Sequence, residues 1–194
     1  MVAFSFLACF LTRQPPLPLY SRLTATALEE DLRDTIREGI AQTEAFDLKD
    51  WEESVTIVVG LLSCKPDEAE RVLADATRWL SWARAGELAR KYIKPDVVNP
   101  AQLEQSLKWL RSGPLALSEE QIVDAVQNYP QLYLLEPAEK YRKVLGVAPR
   151  QYRDADVLRT MLLDDPSILQ FQYNCDNDCI SECGSCWVTL QNRL

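Results

Sequence analysis

One arrangement of residues occurs twice in this chain, 36 positions apart. The first copy lies in LSEEQIVDAVQNYPQLYLL (117–135) and the second in RDADVLRTMLLDDPSILQF (153–171). In both, a capping residue precedes a short apolar-striped helix, a proline and a second apolar cluster. Ser118 corresponds to Asp154, and Pro130 to Pro166. A unit this short cannot bury its apolar face alone and must stack on neighbours. The repeat therefore predicts an all-α, solenoid-like array of short helical repeats.

The remainder of the body has helical periodicity too. Apolar residues recur every four positions from Leu28 to Ile40, after Thr26 and Glu29 at capping-box spacing. Asp50 is the predicted N-cap of a buried helix in DWEESVTIVVGLLS, where the β-branched run makes a strand the competing prediction. Single helices with an early proline are predicted in CKPDEAERVLADATRWLSWA (64–83), NPAQLEQSLKWLRSG (99–113) and PAEKYRKVLG (137–146).

The cap and proline pattern resembles that of a known family. The run from LEQSLKWLRSGPLALSEEQIVDAVQNYPQLYLL to DDPSIL is similar to the repeats of the mitochondrial transcription termination factor (mTERF) family, over about residues 100–171. The resemblance implies an all-α solenoid located in mitochondria or plastids, and binding to nucleic acid or to the organellar expression machinery. The chain departs from the family in its two clear repeats and its acidic net charge of −8, where family members have more repeats and a basic concave face.

The net charge differs between consecutive segments of the chain. Residues 1–28 carry a net +2 with no acid, residues 29–80 carry −8, residues 81–153 carry +3 and residues 154–194 carry −5. An acidic whole argues against broad charge-driven binding to nucleic acid, although the basic middle allows a local contact. We expect three parts: a leader or arm (1–28), an α-helical repeat domain (29–171) and a cysteine-rich C-terminal tail (172–194).

Residues 1–28 differ in composition from the body. Val2 to Leu11 are apolar except for Ser5, and a proline-containing, hydroxyl-rich, acid-free stretch follows. Together they resemble the two-part leader of nucleus-encoded plastid proteins in algae with secondary plastids, which favours a plastid over a mitochondrion. The alternative is an apolar arm that packs on this protein or on a neighbour. No run of 18 apolar residues occurs, so no transmembrane helix is predicted.

Four cysteines lie close together in the tail, with the spacing C-x3-C-x3-C-x2-C. A thiolate quartet suits tetrahedral zinc or an iron–sulfur cluster. Two disulfides are an equal alternative in an oxidising compartment, and free thiols are the third. No other cofactor is predicted. The candidate metal or disulfide residues are Cys175, Cys179, Cys183 and Cys186.

Two further sets of residues are candidates for binding. The stretch EKYRKVLGVAPRQYR combines cations with tyrosines that could hold phosphates and stack on bases, although a solvated helix end explains it equally well. Its candidate nucleic-acid contacts are Lys140, Arg142, Lys143, Arg150 and Arg153. Helical spacing predicts that Trp79, Trp82 and Trp109 are core residues. The alternative is that Trp82 or Trp187 is an exposed anchor for a protein partner.

No catalytic constellation is visible in the sequence. CGSCW resembles the catalytic-cysteine stretch of papain-like proteases, but Cys186 would need a histidine base and the chain has no histidine. The sequence predicts a non-enzymatic organellar protein, an accessory or scaffold subunit of a larger protein complex. Membrane association of that complex is left open as an alternative. The alternatives are an mTERF-like nucleic-acid-binding factor and a zinc- or iron–sulfur-carrying protein.

Overall fold

The computed structural model describes residues 27–44, 47–172 and Trp187. Within these residues every regular element is helical and no strand occurs, so the predicted all-α class is confirmed. In this part of the chain two 3-10 helices, η1 (Arg150–Tyr152) and η2 (Pro166–Gln170), lie on either side of the α-helix Ala155–Asp164. The α-helices are α1 (Glu30–Ala41), α2 (Leu48–Leu62), α3 (Pro66–Ala76), α4 (Trp79–Arg84), α5 (Glu87–Arg90), α6 (Pro100–Ser112), α7 (Glu119–Asn128), α8 (Pro130–Tyr133), α9 (Pro137–Val147) and α10 (Ala155–Asp164).

Several helix ends were predictable from local chemistry. The Asn99 side chain caps α6 by accepting from the Ala101 amide, and Gly113 ends that helix. Ser118 and Gln121 form the predicted capping box of α7. Such side chains satisfy amides that have no partner inside the helix.

The predicted start of α2 was wrong by three residues. Asp47, not Asp50, is the N-cap, because its extended backbone lets the carboxylate accept from the Lys49 amide at 3.0 Å. Asp50 instead lies in the first turn, where a negative charge suits the helix dipole. The β-branched run is nevertheless helical, so the preference for a helix over a strand is confirmed.

The single helix predicted for 64–83 is broken in two. Arg78 adopts a left-handed conformation (φ 66°) between α3 and α4. Its guanidinium donates to the Lys94 carbonyl at 2.5 Å and pairs with Asp96 at 3.3 Å, while the Asp96 amide donates to the Thr77 carbonyl at 2.8 Å. A loop distant in sequence therefore stabilises the break.

The helices pack pairwise around one apolar core. Helix α2 packs on α3 and α6, α1 packs on α4, and α3 also contacts α8. Further along the chain α6 contacts α9, and both α9 and α10 contact η2. The largest fully buried side chains of the described residues include Trp51, Leu73, Leu110, Ile122, Tyr133 and Phe171.

One close helix contact depends on a glycine. Gly39 is buried in α1 where that helix meets α4. A Cβ at this position would lie 2.7 Å from Trp82 Cη2 and 2.8 Å from Trp79 Cζ3, well inside van der Waals contact. The two indole rings meet edge to face, with centroids 5.1 Å apart. Only a residue without a side chain lets α1 approach these rings so closely.

The two sequence copies have matching local elements. In each, a capped α-helix ends at a residue with non-helical backbone, Tyr129 (φ −140°, ψ 59°) or Asp165 (φ −139°, ψ 92°), and proline then begins a short helical turn. The residue before a proline is disfavoured in helical conformation, which explains both breaks. The Tyr133 hydroxyl donates to the Pro166 carbonyl at 2.9 Å and joins the two copies. A solenoid built from such units remains a prediction.

The Tyr133 hydrogen bond gives a stability prediction with a pH dependence. Tyr133→Phe is expected to lower the free energy of unfolding by about 1 kcal/mol near pH 7, the usual net value of a hydrogen bond. Burial, and then the Asp165 charge, raise the pKa of Tyr133 above its ordinary value of about 10. The stability linked to this raised pKa is present below about pH 10 and is lost as the pH rises from there towards the folded-state pKa.

Urea unfolding of both proteins at neutral pH and above about pH 10 would test this. The wild type should lose more stability than the variant on going to alkaline pH, so the difference between them should shrink. An unchanged difference would contradict the assignment of the raised pKa to Tyr133.

None of the described helices is long and apolar enough to cross a membrane.

Candidate functional site

A groove of about 870 Å³ lies between α6 and the α8–α9 segment. Helix α6 buries Leu103, Leu107 and Leu110 in the core and lines the groove with residues that include Gln105, Lys108 and Trp109. Residues 96–98 also line the groove. We call this surface the α6–α9 groove. Its lining includes Asp96, Val97, Gln105, Lys108, Trp109, Leu132, Leu135, Glu136, Glu139, Lys140 and Arg142.

The groove combines an apolar surface with charges of both signs. Trp109 is half-buried beside Tyr141, with ring centroids 5.6 Å apart, and Val97 and Leu132 add aliphatic surface. Lys108 and Arg142 are exposed cations in the groove wall. The arrangement can hold an extended or helical segment through apolar contacts and a few ionic ones.

Lys140 is a half-buried cation of the groove. Its ammonium donates to the Leu135 carbonyl close to the C-terminal end of α8. Burial lowers the pKa of Lys140, and the nearby carboxylates of Glu136 and Asp96 oppose that change. The ammonium is thus a fixed, partly desolvated donor within the groove wall.

The five basic residues predicted to contact nucleic acid do not all lie on the same surface of the structure. Lys140 and Arg142 line the groove, but Lys143 pairs with Glu139 at 2.7 Å on the surface of α9. The Arg153 side chain donates to the Ala148 carbonyl at 2.8 Å, and Arg150 begins η1. Two of the five, Lys140 and Arg142, therefore line the α6–α9 groove.

The two predicted tryptophan anchors have different surroundings. Trp82 is half-buried between Trp79 and Arg90, whose guanidinium carbon lies 4.7 Å from the ring centroid. Trp187 is fully buried: its ring stacks on Tyr152 at 5.6 Å and contacts Phe171 at 6.2 Å. The Trp187 ring therefore packs against residues of its own chain.

Cys175, Cys179, Cys183 and Cys186 lie outside the described residues, so zinc, iron–sulfur and disulfide states all remain predictions. Among residues 27–44 and 47–172, no group of three or more metal-ligating side chains comes together. Cys64, in that same part of the chain, is a free thiol whose pKa is raised by burial first and by Glu68 second.

Sequence reasoning missed a buried carboxylate. The Glu70 side chain is 4% exposed and joins α1, α2 and α3. It accepts from Arg33 Nε at 3.0 Å, from Arg37 Nε at 3.1 Å and from Trp51 Nε1 at 2.9 Å. In the sequence, the feature that could have indicated this carboxylate is the pair Arg33 and Arg37, which lie four residues apart beside the apolar stripe of α1. We call this group the Glu70 cluster. It connects three helices and does not line the α6–α9 groove.

Comparison of the chain with protein-family models, with curated proteins and with solved structures finds no significant match. The mTERF resemblance therefore remains a prediction from the cap and proline spacing.

Proposed function

We propose that this chain is a non-enzymatic helical-repeat protein of an organelle, a plastid in preference to a mitochondrion, and an accessory subunit of a larger protein complex. In this proposal the α6–α9 groove holds a segment of the protein partner. The observation that carries it is the groove itself, about 870 Å³ in volume and lined by Trp109, aliphatic side chains and charges of both signs. The organellar location is supported by the composition of residues 1–28.

The charges of the groove favour a protein partner over a nucleic acid. Asp96, Glu136 and Glu139 lie among the same lining residues as Lys140 and Arg142. A polyphosphate backbone would meet these carboxylates, whereas binding to phosphates depends on their neutralisation by cations. A polypeptide presents both charge signs together with apolar side chains, which matches this lining.

The second candidate is an mTERF-like nucleic-acid-binding factor. Its support is the position of Lys140 and Arg142 in the same groove as the half-buried Trp109, since cations beside an aromatic ring can contact phosphate and base together. A single-stranded segment would be the form that such a groove accepts.

Site-specific photocrosslinking distinguishes the two candidates. A photoreactive amino acid would replace Gln105, an exposed residue of the groove, in the full chain expressed in the source organism. The matched control places the same group at Gln127, an exposed residue of α7 that does not line the groove. We expect a discrete protein adduct from position 105 and none from position 127.

Val97→Asp provides the specificity test, because Val97 lines the groove but is 46% exposed and contributes little to the core. The adduct should decrease about tenfold in this variant, since a buried apolar contact would be replaced by a desolvated charge. An adduct sensitive to nuclease would favour the nucleic-acid candidate. Equal protein adducts from positions 105 and 127 would contradict a groove-specific function.

A further inference from the structure

Two large apolar side chains of the described residues are almost fully exposed. Leu88 is 77% exposed and Tyr92 is 87% exposed, whereas the other exposed large apolar residues, Val97 and Val157, are 46% and 40% exposed. Leu88 and Tyr92 lie four residues apart, in α5 and in the turn that follows it. Apolar residues that occur singly on a surface need no explanation, but a pair on one helical face is a candidate contact.

Local geometry places both side chains on one outward face. Helix α5 continues into a further turn, because the Tyr92 amide donates to the Ala89 carbonyl at 3.0 Å. Residues spaced by three or four share a helical face, so Lys91 lies with Leu88 and Tyr92. Arg90 points the other way: its guanidinium stacks on Trp82, 4.7 Å from the ring centroid. We call the segment 84–94 the basic projection.

The basic projection is attached to the body at both ends. Arg90 donates to the carbonyls of Ala83 (2.8 Å) and Ala85 (3.1 Å) at its start. At its end Arg78 donates to the Lys94 carbonyl at 2.5 Å. The exposed side chains are therefore presented by a segment with a defined conformation.

The charge of this segment is opposite to that of the chain. Between residues 82 and 94 there are four cations and one acid, Glu87, in a protein of net charge −8. Arg84, Lys91 and Lys94 are exposed. The field of the acidic remainder would orient the basic projection towards an anionic surface and repel the rest of the molecule from it.

We propose that the basic projection binds the surface of an anionic lipid bilayer, with Leu88 and Tyr92 entering the headgroup region and Lys91 and Lys94 contacting lipid phosphates. Charge complementarity carries this choice, because lysines beside an exposed leucine and tyrosine match the interface of an anionic bilayer. A stable protein interface buries roughly 800 Å² on each side, far more than two side chains provide. The proposal goes beyond the groove function and does not depend on it.

Vesicle flotation with the purified full chain tests the proposal. We expect binding to phosphatidylcholine vesicles that contain about 30% phosphatidylglycerol, no binding to pure phosphatidylcholine, and loss of binding at about 0.5 M salt, where exposed charges are screened. Leu88→Ser with Tyr92→Ser should reduce the bound fraction about tenfold or more, because the apolar insertion is lost. Lys91→Gln with Lys94→Gln should reduce it to a similar extent.

Matched controls separate the projection from general effects of charge or hydrophobicity. Val157→Ser removes an exposed apolar residue from α10, and Lys49→Gln with Lys65→Gln removes two exposed cations from the acidic half. Both controls should bind as the wild type does. An unchanged thermal midpoint in all variants would show that they fold.

The proposal is overturned by three results. Wild-type protein that fails to float with anionic vesicles would exclude it, and so would equal binding to neutral vesicles. Projection variants that bind like the wild type would assign the contact to another part of the chain. Light scattering on the same samples identifies the protein alternative, because a dimer that the projection variants dissociate, with no vesicle binding, would make the surface a contact between copies.

Discussion

Gly39→Val is expected to destabilise the protein by about 3 kcal/mol, because overfilling a packed contact forces side chains and backbone to move. The added Cβ alone would lie 2.7 Å from Trp82 Cη2 and 2.8 Å from Trp79 Cζ3. The Trp82 ring has little room to yield, since Trp79 packs against it and Arg90 stacks over it. The midpoint of urea unfolding, followed by circular dichroism, measures the effect.

Gly60→Val is the matched control. Gly60 lies in the last turn of α2, as Gly39 lies in the last turn of α1, but a Cβ at position 60 would meet nothing within 4 Å. Valine has a helix propensity only a few tenths of a kcal/mol better than that of glycine, so the change should stay within about 0.5 kcal/mol. Gly39→Val combined with Trp82→Leu should be less destabilised than the sum of the two single changes, because the smaller side chain relieves the clash. Equal effects at positions 39 and 60 would contradict the close contact of α1 with α4.

Glu70→Ala is expected to lower the free energy of unfolding by about 2–4 kcal/mol. The change removes the acceptor of three donors at once, and an unpaired buried donor or charge is costly. Trp51 is fully buried, whereas the Arg33 and Arg37 side chains are 23% and 41% exposed and can regain some solvent contact. Because both arginines are partly exposed, the expected loss in the free energy of unfolding is smaller than for breaking a fully buried ion pair.

Two variants separate the contributions to the Glu70 cluster. Glu70→Gln keeps the shape and one acceptor oxygen but removes the charge, and should cost about 1–2 kcal/mol. Glu52→Ala removes an exposed partner of the same Arg37, which it approaches only to 3.8 Å, and should cost at most about 0.5 kcal/mol. Equal losses for Glu70→Ala and Glu52→Ala would show that burial adds nothing to this cluster.

The candidate site was only partly visible in the sequence. The stretch around Lys140 and Arg142 was recognised as a binding candidate, and both residues line the α6–α9 groove. The groove residues Trp109 and Gln105 of α6 were not predicted. They line the groove only because α6 packs against α9. The exposed pair Leu88 and Tyr92 was also missed, since hydrophobicity alone predicts burial.

The sequence by itself determined the features that depend on neighbours along the chain. The helical class, the Asn99 and Ser118 caps, the Gly113 stop and the two proline breaks all follow from interactions within a few residues. These local interactions keep the same geometry wherever the segment lies in the fold.

Only the tertiary structure decided the features whose partners are distant in sequence. Asp96 and the Lys94 carbonyl stabilise the left-handed Arg78 that divides α3 from α4. Glu70 is buried because Arg33, Arg37 and Trp51 come from two other helices, and Gly39 matters because α4 passes against it. The physical reason is that burial and desolvation depend on which helices meet, and the periodicity of one helix does not specify the helix that faces it.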